Sequence, residues 1–95
     1  MPKGIWIGHI TVKDPEIYER YKAANSIAFR KHGGRFITRG GRFTCLTGQT
    51  RERHVVIEFD SYETALACYN SPEYREAQKY QASSSENDIV VIEGI

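Results

Sequence analysis

The segment from His54 to Tyr74 places the strongest constraint on how this chain folds. It opens with HVVIEF, a short apolar run that is rich in β-branched residues and bounded by polar ones, which is typical of a buried strand. Asp60 and Ser61 follow, and either side chain is suited to accept a hydrogen bond from the first free N–H groups of a helix. The next apolar side chains have the spacing of one helix face: Tyr62, Ala65, Leu66 and Tyr69. A central strand followed by a covering helix predicts a small α+β domain.

Ser71 and Pro72 interrupt the helix that we expect over residues 61–81. Ser71 has the chemistry of an N-cap, and Pro72 occupies the first helical position, where its missing N–H costs nothing. The helix is therefore predicted to restart at this point in a new direction. The polar residues 82–87 are expected to form a flexible loop, and residues 88–95, DIVVIEGI, a last strand.

The first half of the chain predicts a strand, a helix and two shorter strand segments. Asp14 and Pro15 signal the start of the helix, and Gly33 is expected to end it in the left-handed conformation. Gly40 and Gly41 break the chain between the two short segments. The predicted bounds are 4–12 for the first strand, 15–32 for the helix, and 35–39 and 42–46 for the short segments.

The resulting order, β-α-β-β-α-β, is the ferredoxin-like pattern with an antiparallel sheet, in a single domain over residues 1–95. Two helices cover only one face of such a sheet. The other face should then alternate between apolar and polar residues, yet residues 55–57 and 89–92 are apolar at every position. Because no element is left to cover the second face, we expect a homodimer that packs sheet against sheet.

The composition is that of an ordinary globular domain, with 26% charged and 40% apolar residues among 95. No apolar stretch is long enough to span a bilayer, and no secretory signal pattern is visible. Cys45 and Cys68 lack the spacing of a metal site, and free thiols are typical of a cytosolic protein. We therefore expect a cytoplasmic protein with no metal, no organic cofactor and no membrane partner.

Basic residues concentrate in the middle of the chain. Seven of the thirteen lie between Arg30 and His54, against the single acid Glu52, and such a segment attracts anionic ligands. Nucleic acid is not the expected partner, because the strands lack the aromatic-rich pattern that stacks bases and the pI is only 7.8. The predicted dimer would also hide the sheet face that RNA-binding domains of this topology use.

Three stretches of the chain carry a family likeness, and together they span nearly all of it: WIGHITVKDPEIYERYKAAN, KHGGRFITRGGRF and RHVVIEFDSYETALACYNSPEYREA. They resemble the domain-of-unknown-function 1330 family. This resemblance implies the dimeric α/β-barrel superfamily, in which two ferredoxin-like sheets close into one barrel and pockets usually lie between sheet and helices. It implies no particular reaction or catalytic set, and likeness of fold alone does not establish function.

His9 and Glu58 are the candidate catalytic residues. A histidine in mid-strand is suited to proton transfer near neutral pH, and Glu58 would complete a general acid–base pair if both faced one pocket. Two other interpretations stay open. His9 is also suited to a structural hydrogen bond with a neighbour, and Glu58 to an ion pair with an arginine.

Arg35, Arg39, Tyr69 and Ser71 are the candidate ligand-binding residues. Arginine forks suit carboxylates and phosphates, although salt bridges to acids of the sheet explain them as well. Tyr69 belongs to a set of tyrosines, all on the predicted helices, that would line a ligand pocket or pack in the core. These residues support two hypotheses. The first is a homodimer that binds a small organic or anionic metabolite, with or without transforming it, and needs no cofactor. The second is a non-catalytic dimeric module for ligand binding or protein interaction.

Overall fold

The computed structural model describes residues 2–95, which form four strands and three helices. Their order agrees with the predicted β-α-β-β-α-β pattern, with the second helical segment divided at Ser71 and Pro72. In chain order the elements are β1 (Gly4–Val12), α1 (Pro15–Lys31), β2 (Arg35–Arg39), β3 (Arg53–Phe59), α2 (Tyr62–Tyr69), α3 (Pro72–Ser84) and β4 (Ser85–Glu93).

The four strands form one sheet in the order β2-β3-β1-β4, and every neighbouring pair is antiparallel. β1 lies between β3 and β4 and pairs with both over most of its length. The pairing of β2 with β3 shifts by one residue between Phe36 and Thr38, as at a β-bulge. The predicted ferredoxin-like fold with an antiparallel sheet is confirmed.

Local sequence signals account for the helix boundaries. The side chain of Asp14 accepts a hydrogen bond from the backbone N–H of Ile17, and the Ser61 side chain accepts one from Thr64. Gly33 ends α1 with a φ of +71°, a conformation that glycine adopts without steric cost. Each helix therefore begins or ends where the capping chemistry predicts.

The helices cover one face of the sheet and form a single core with it. Alternate residues of β1 and β3 point into this core, as the two-residue period of a strand requires. Trp6 lies at its centre, with edge-on ring contacts to Phe29 and Tyr74 at centroid distances of 5.1 Å each. Such pairs stabilise a core by about 0.5–1.5 kcal/mol beyond the apolar area that they bury.

The other face of the sheet has no covering element among residues 2–95. We call it the open face; it includes Arg35, Thr38, Ile5, Ile7, His9, His54, Val56, Glu58, Asp88, Val90 and Ile92. Val90 and Ile92 are 55% and 53% exposed. The apolar runs in β1, β3 and β4 thus have one set of side chains in the core and the other on this face.

Two predicted segments are wrong. Residues 42–46 do not form a strand, although polar and apolar side chains alternate from residue 42 to residue 45. The chain turns away at Gly40, with a φ of +75°, and β3 already has β2 and β1 as its neighbours. β3 therefore has no free edge for this segment, which continues as an irregular connection after the turn at Gly40.

The expected flexible loop at residues 82–87 is also wrong, because α3 continues to Ser84 and β4 begins at Ser85. The carbonyl oxygen of Ser84 accepts the backbone N–H groups of Lys13 and Asp14 at 2.8 and 3.0 Å. These bonds tie the junction to the start of α1.

None of the helices within residues 2–95 is long and apolar enough to cross a bilayer.

Candidate functional site

A small cavity lies between the sheet and the helices. Its volume is about 20 Å³, enough for one water-sized group. We call it the inner cavity; its lining includes Trp6, Gly8, Tyr18, Arg39, Arg53 and Asn87. It lies on the helix-facing side of the sheet, where the family resemblance implies a pocket.

Gly8 is one reason for this cavity. It is buried in the middle of β1, on the same face as Trp6 and Ile10. A Cβ atom at Gly8 would lie 3.8 Å from the Ile10 side chain and 4.0 Å from that of Ile89, which are ordinary van der Waals distances. The missing side chain therefore leaves space that its neighbours do not fill.

Arg39 and Arg53 form the mouth of the inner cavity. Arg39 stacks on the ring of Phe36 at 4.2 Å, and one of its terminal nitrogens donates to the side-chain oxygens of Asn25 and Ser26 at 3.2 and 3.1 Å. Arg53 donates from Nε to the hydroxyl of Tyr18 at 3.0 Å. Neither arginine forms a salt bridge with an acid among the residues that the structure describes. Two guanidinium groups without a salt-bridge partner among these residues therefore converge at one place, and the nearby carboxylate of Glu19 is paired with Lys22 at 2.8 Å.

The electrostatics of the mouth favour an anion. Burial, followed by the neighbouring positive charge of Arg53, lowers the pKa of Arg39. Burial also raises the pKa of Tyr18, an effect that Arg53 partly offsets, so the phenol is neutral at physiological pH. A surface depression of about 390 Å³, whose walls include Ser26 and both arginines, continues outward from the mouth.

Buried tyrosines form a hydrogen-bond network beside the inner cavity. The hydroxyl groups of Tyr21 and Tyr74 are 2.7 Å apart, and Nε2 of Gln81 donates to each at 3.2 Å. Burial raises the pKa of Tyr21 to about 12 and raises that of Tyr74 as well. Both phenols therefore remain protonated at neutral pH and hold α1 against α3.

His9 and Glu58 lie on the open face, on the opposite side of the sheet from the inner cavity. His9 pairs across the strands with His54, and their Nδ1 atoms are 2.8 Å apart. Glu58 pairs with Ile5 instead. Because four residues of a strand span about 13 Å, the structure does not bring His9 and Glu58 together as an acid–base pair.

Arg35 is ion-paired on the open face. One of its terminal nitrogens lies 2.9 Å from a carboxylate oxygen of Glu58 and 3.5 Å from one of Asp60. This is the salt-bridge alternative that the sequence left open. Arg35 therefore does not contribute to the mouth that Arg39 and Arg53 form.

Tyr69 packs against core aromatic residues, and Ser71 caps a helix. The ring of Tyr69 packs 5.7 Å from that of Trp6 and 5.3 Å from that of Tyr74, and its side chain is 38% exposed. Ser71 is buried, donates from Oγ to the carbonyl oxygen of Cys68 at 2.7 Å and accepts from the N–H of Tyr74. Its hydroxyl is thus used as the N-cap of α3.

A separate groove of about 410 Å³ crosses one end of the open face beside His9. Arg51 lines it and donates from Nε to Asp88 at 2.8 Å and from a terminal nitrogen to Thr11 at 2.9 Å. The far ring nitrogen of His54 lies 3.4 Å from the hydroxyl of Thr50. The positive charge of this groove is therefore already paired, unlike that of the mouth.

The inner cavity also contains Arg53 and Asn87, which the sequence did not predict as site residues, whereas Tyr18 belongs to the set of tyrosines predicted to line a pocket or pack in the core. The spacing of β3 contains a signal for Arg53, because this residue shares the strand face of Val55 and Ile57. An arginine on a buried strand face requires a partner or an opening. No local signal marks Asn87, since its position depends on the start of β4.

The fold defines the class to which this chain belongs, that of small ferredoxin-like proteins with helices on one face of an antiparallel sheet. A protein of unknown function from Rhodopseudomonas palustris is similar to it at 16% identity and a TM-score of 0.79, over 99% of this chain and 83% of the other. A dimeric ferredoxin-like protein of unknown function from Bacteroides fragilis shares 18% identity, with a TM-score of 0.64 and coverage of 96% and 95%. SnoaB, a cofactor-independent oxygenase from Streptomyces nogalater, shares 14% identity, with a TM-score of 0.64 and coverage of 97% and 92%.

Residues 3–95 match the family described as Domain of unknown function (DUF1330), and the chain belongs to that family. The resemblance noted in the sequence is thereby confirmed. No curated protein matches this chain in sequence. The structural likenesses are all at low identity and establish only the fold, so the function has to be inferred from the residues of the site.

Proposed function

We propose that this protein binds a small organic anion at the mouth of the inner cavity. The observation that carries this proposal is the convergence of Arg39 and Arg53, neither paired with an acid among residues 2–95, at the opening of a cavity in the core. Guanidinium groups bind carboxylates through charge-assisted hydrogen bonds with defined geometry. An anion there would offset the repulsion between the two arginines.

The size of the site limits the ligand. The inner cavity admits a single water-sized group, whereas the depression outside the mouth offers about 390 Å³. The body of the ligand would therefore lie in the depression, against Ser26 and the arginines, with one small substituent directed inward. The depression has space for the body of a compact organic acid, and the aromatic and aliphatic lining of the inner cavity suits an uncharged substituent.

Binding without acid–base catalysis is the form of the hypothesis that the geometry favours. His9 and Glu58 face away from the inner cavity and are paired with other residues. The phenols beside the cavity have pKa values raised by burial, which makes them poor proton donors and acceptors near pH 7. The proposal requires no cofactor.

The anion proposal is tested by titrating ¹⁵N-labelled protein with benzoate. Trp6 is the only tryptophan and lines the inner cavity, so a single indole N–H signal reports on occupancy. Arg39→Gln and Arg53→Gln should each weaken binding by about tenfold or more, since a hydrogen bond to a charged group contributes about 1.5–3 kcal/mol. Arg42→Gln, in the irregular connection after β2, is the matched control and should bind as the wild type does.

A benzoate affinity that is unchanged in both Arg39→Gln and Arg53→Gln would contradict the proposal. An equal loss in Arg42→Gln would show that the effect is general electrostatic attraction. Thermal unfolding of each variant distinguishes a lost contact from a lost fold, because Arg39 also holds Asn25 and Ser26 of α1.

We also propose that two copies associate through their open faces. Val90 and Ile92 are more than half exposed there, and apolar patches of this kind mark interaction sites. The fold is shared with the dimeric protein from Bacteroides fragilis. Salt bridges at the edge of the face, such as Arg35 with Glu58, leave its centre apolar.

Light scattering coupled to size-exclusion chromatography tests this association. Val90→Lys should convert a dimer to a monomer, since two like charges would be buried without partners. Ile27→Lys is the matched control, because Ile27 is 56% exposed on α1 and outside the open face. A wild-type monomer at micromolar concentration, or a dimer that persists in Val90→Lys, would refute the proposal.

A further inference from the structure

We propose that Asn87 accepts a hydrogen bond from the substituent of the ligand that is directed into the inner cavity. This interaction favours a hydroxyl group at that position, so the preferred ligand is a small hydroxylated organic acid. This inference rests on the proposed function, which places the anionic end of the ligand at Arg39 and Arg53. It adds a second point of recognition at the other end of the inner cavity.

The hydrogen bonds around Asn87 determine which way its amide points. Nδ2 of Asn87 donates to Oγ of Ser85 at 2.8 Å, and Ser85 donates its own hydrogen to the carbonyl oxygen of Gln81 at 3.1 Å. Because a serine hydroxyl has one hydrogen, Ser85 acts as an acceptor toward Asn87. The amide oxygen, Oδ1, therefore points the other way.

Oδ1 of Asn87 is buried and has no hydrogen-bond partner among residues 2–95. A buried acceptor without a partner costs about 1–3 kcal/mol. Asn87 also belongs to the lining of the inner cavity, which has room for one small polar group. A hydroxyl entering that space would donate to Oδ1, whereas a carbonyl or carboxylate oxygen there would be repelled.

Strand register places Asn87 and Arg53 at the two ends of one row. Asn87 of β4 pairs with Ile10 of β1, which pairs in turn with Arg53 of β3. All three side chains belong to the helix-facing side, and two strand spacings separate the outer Cα atoms by about 10 Å. The space left by Gly8 lies next to this row, so a small substituent that enters the inner cavity past the arginines is directed toward Asn87, while the body of the ligand stays in the depression outside.

The experiment compares benzoate with 2-, 3- and 4-hydroxybenzoate as probes, using the Trp6 indole signal. In the wild type, at least one hydroxylated isomer should bind roughly three- to tenfold more tightly than benzoate, the effect of one net hydrogen bond. Asn87→Leu should abolish that preference, so that benzoate and its hydroxylated isomers bind this variant with affinities equal within about twofold. Asn87→Asp keeps an acceptor and should retain the preference, although it weakens the binding of every anion.

The outcomes separate this inference from the proposed function. Binding of benzoate that depends on Arg39 and Arg53, but with no preference for any hydroxylated isomer, overturns the role of Asn87 alone. A preference that survives in Asn87→Leu does the same. If neither benzoate nor its hydroxylated forms bind the wild-type protein at millimolar concentration, both proposals are overturned.

Discussion

Replacement of Gly8 by alanine should stabilise the protein while impairing its binding site. The added Cβ would lie 3.8 Å from Ile10 and 4.0 Å from Ile89 and from the indole nitrogen of Trp6. No neighbour has to move at these distances. The backbone at Gly8 also has no left-handed φ, so alanine adopts it without strain.

The expected increase in the free energy of unfolding of Gly8→Ala has two contributions. Alanine in a strand interior avoids the backbone entropy cost of glycine, about 0.5–1 kcal/mol. The buried methyl group adds up to about 0.8 kcal/mol of apolar transfer free energy. We therefore expect the free energy of unfolding to rise by about 1–2 kcal/mol, which raises Tm by at least about 4 °C for a domain of this size.

Ligand binding should change in the opposite direction. The methyl group would occupy space in the inner cavity and exclude the hydroxyl of a hydroxybenzoate, lowering its affinity roughly three- to tenfold. Urea unfolding at fixed protein concentration measures the stability, and the Trp6 indole signal measures the binding.

Gly4→Ala provides the matched control in the same strand. A Cβ atom there would overlap the backbone carbonyl oxygen of Ser61 and lie 2.9 Å from Cα of Tyr62. We expect this variant to lose about 1–3 kcal/mol, as in other overpacked sites. A Gly8→Ala protein that is destabilised, or that binds a hydroxybenzoate as tightly as the wild type, would refute the cavity argument.

Three further predictions concern the core beside the site. Tyr74→Phe removes the hydroxyl that pairs with Tyr21 at 2.7 Å and should cost about 1–3 kcal/mol in urea unfolding, whereas Tyr80→Phe should be nearly neutral. Ser71→Ala should lower the free energy of unfolding by about 1 kcal/mol, because α3 loses its N-cap, and should leave the affinity for benzoate unchanged. A large loss of benzoate affinity would instead show that Ser71 belongs to the binding site. Stability should also fall at alkaline pH, because burial raises the pKa values of Tyr21 and Cys68 to about 12. The contribution of each group is fully present below the pKa of its unfolded form, about 8.5 for the thiol and about 10 for the phenol. Above that pKa, each group removes about 1.4 kcal/mol per pH unit until its folded form ionises. Urea titrations at pH 8, 9, 10 and 11 test this, and a flat profile would contradict it.

The sequence by itself determined most of the fold. Capping residues such as Asp14, Ser61 and Ser71 act within one turn of their own position, so their effect is visible in the chain. The apolar run from Val55 to Ile57 indicated a strand with a second apolar face, and Val56 does lie on the open face. Helix capping and the two-residue alternation of a strand depend only on residues that are close together in the chain, so the sequence reveals both.

The tertiary structure decided which side chains meet. The face occupied by a strand residue depends on register, and a shift of one residue reverses it. His9 therefore meets His54 and not Glu58, while Arg39 and Arg53 converge from different strands. The sequence predicts a strand at residues 42–46, but they remain irregular, since β3 already pairs with β2 and β1 and strand pairing depends on neighbours that are distant in sequence. The inner cavity, too, exists only because Gly8 on β1 and Asn87 on β4 are brought beside those arginines by the packing of the whole sheet.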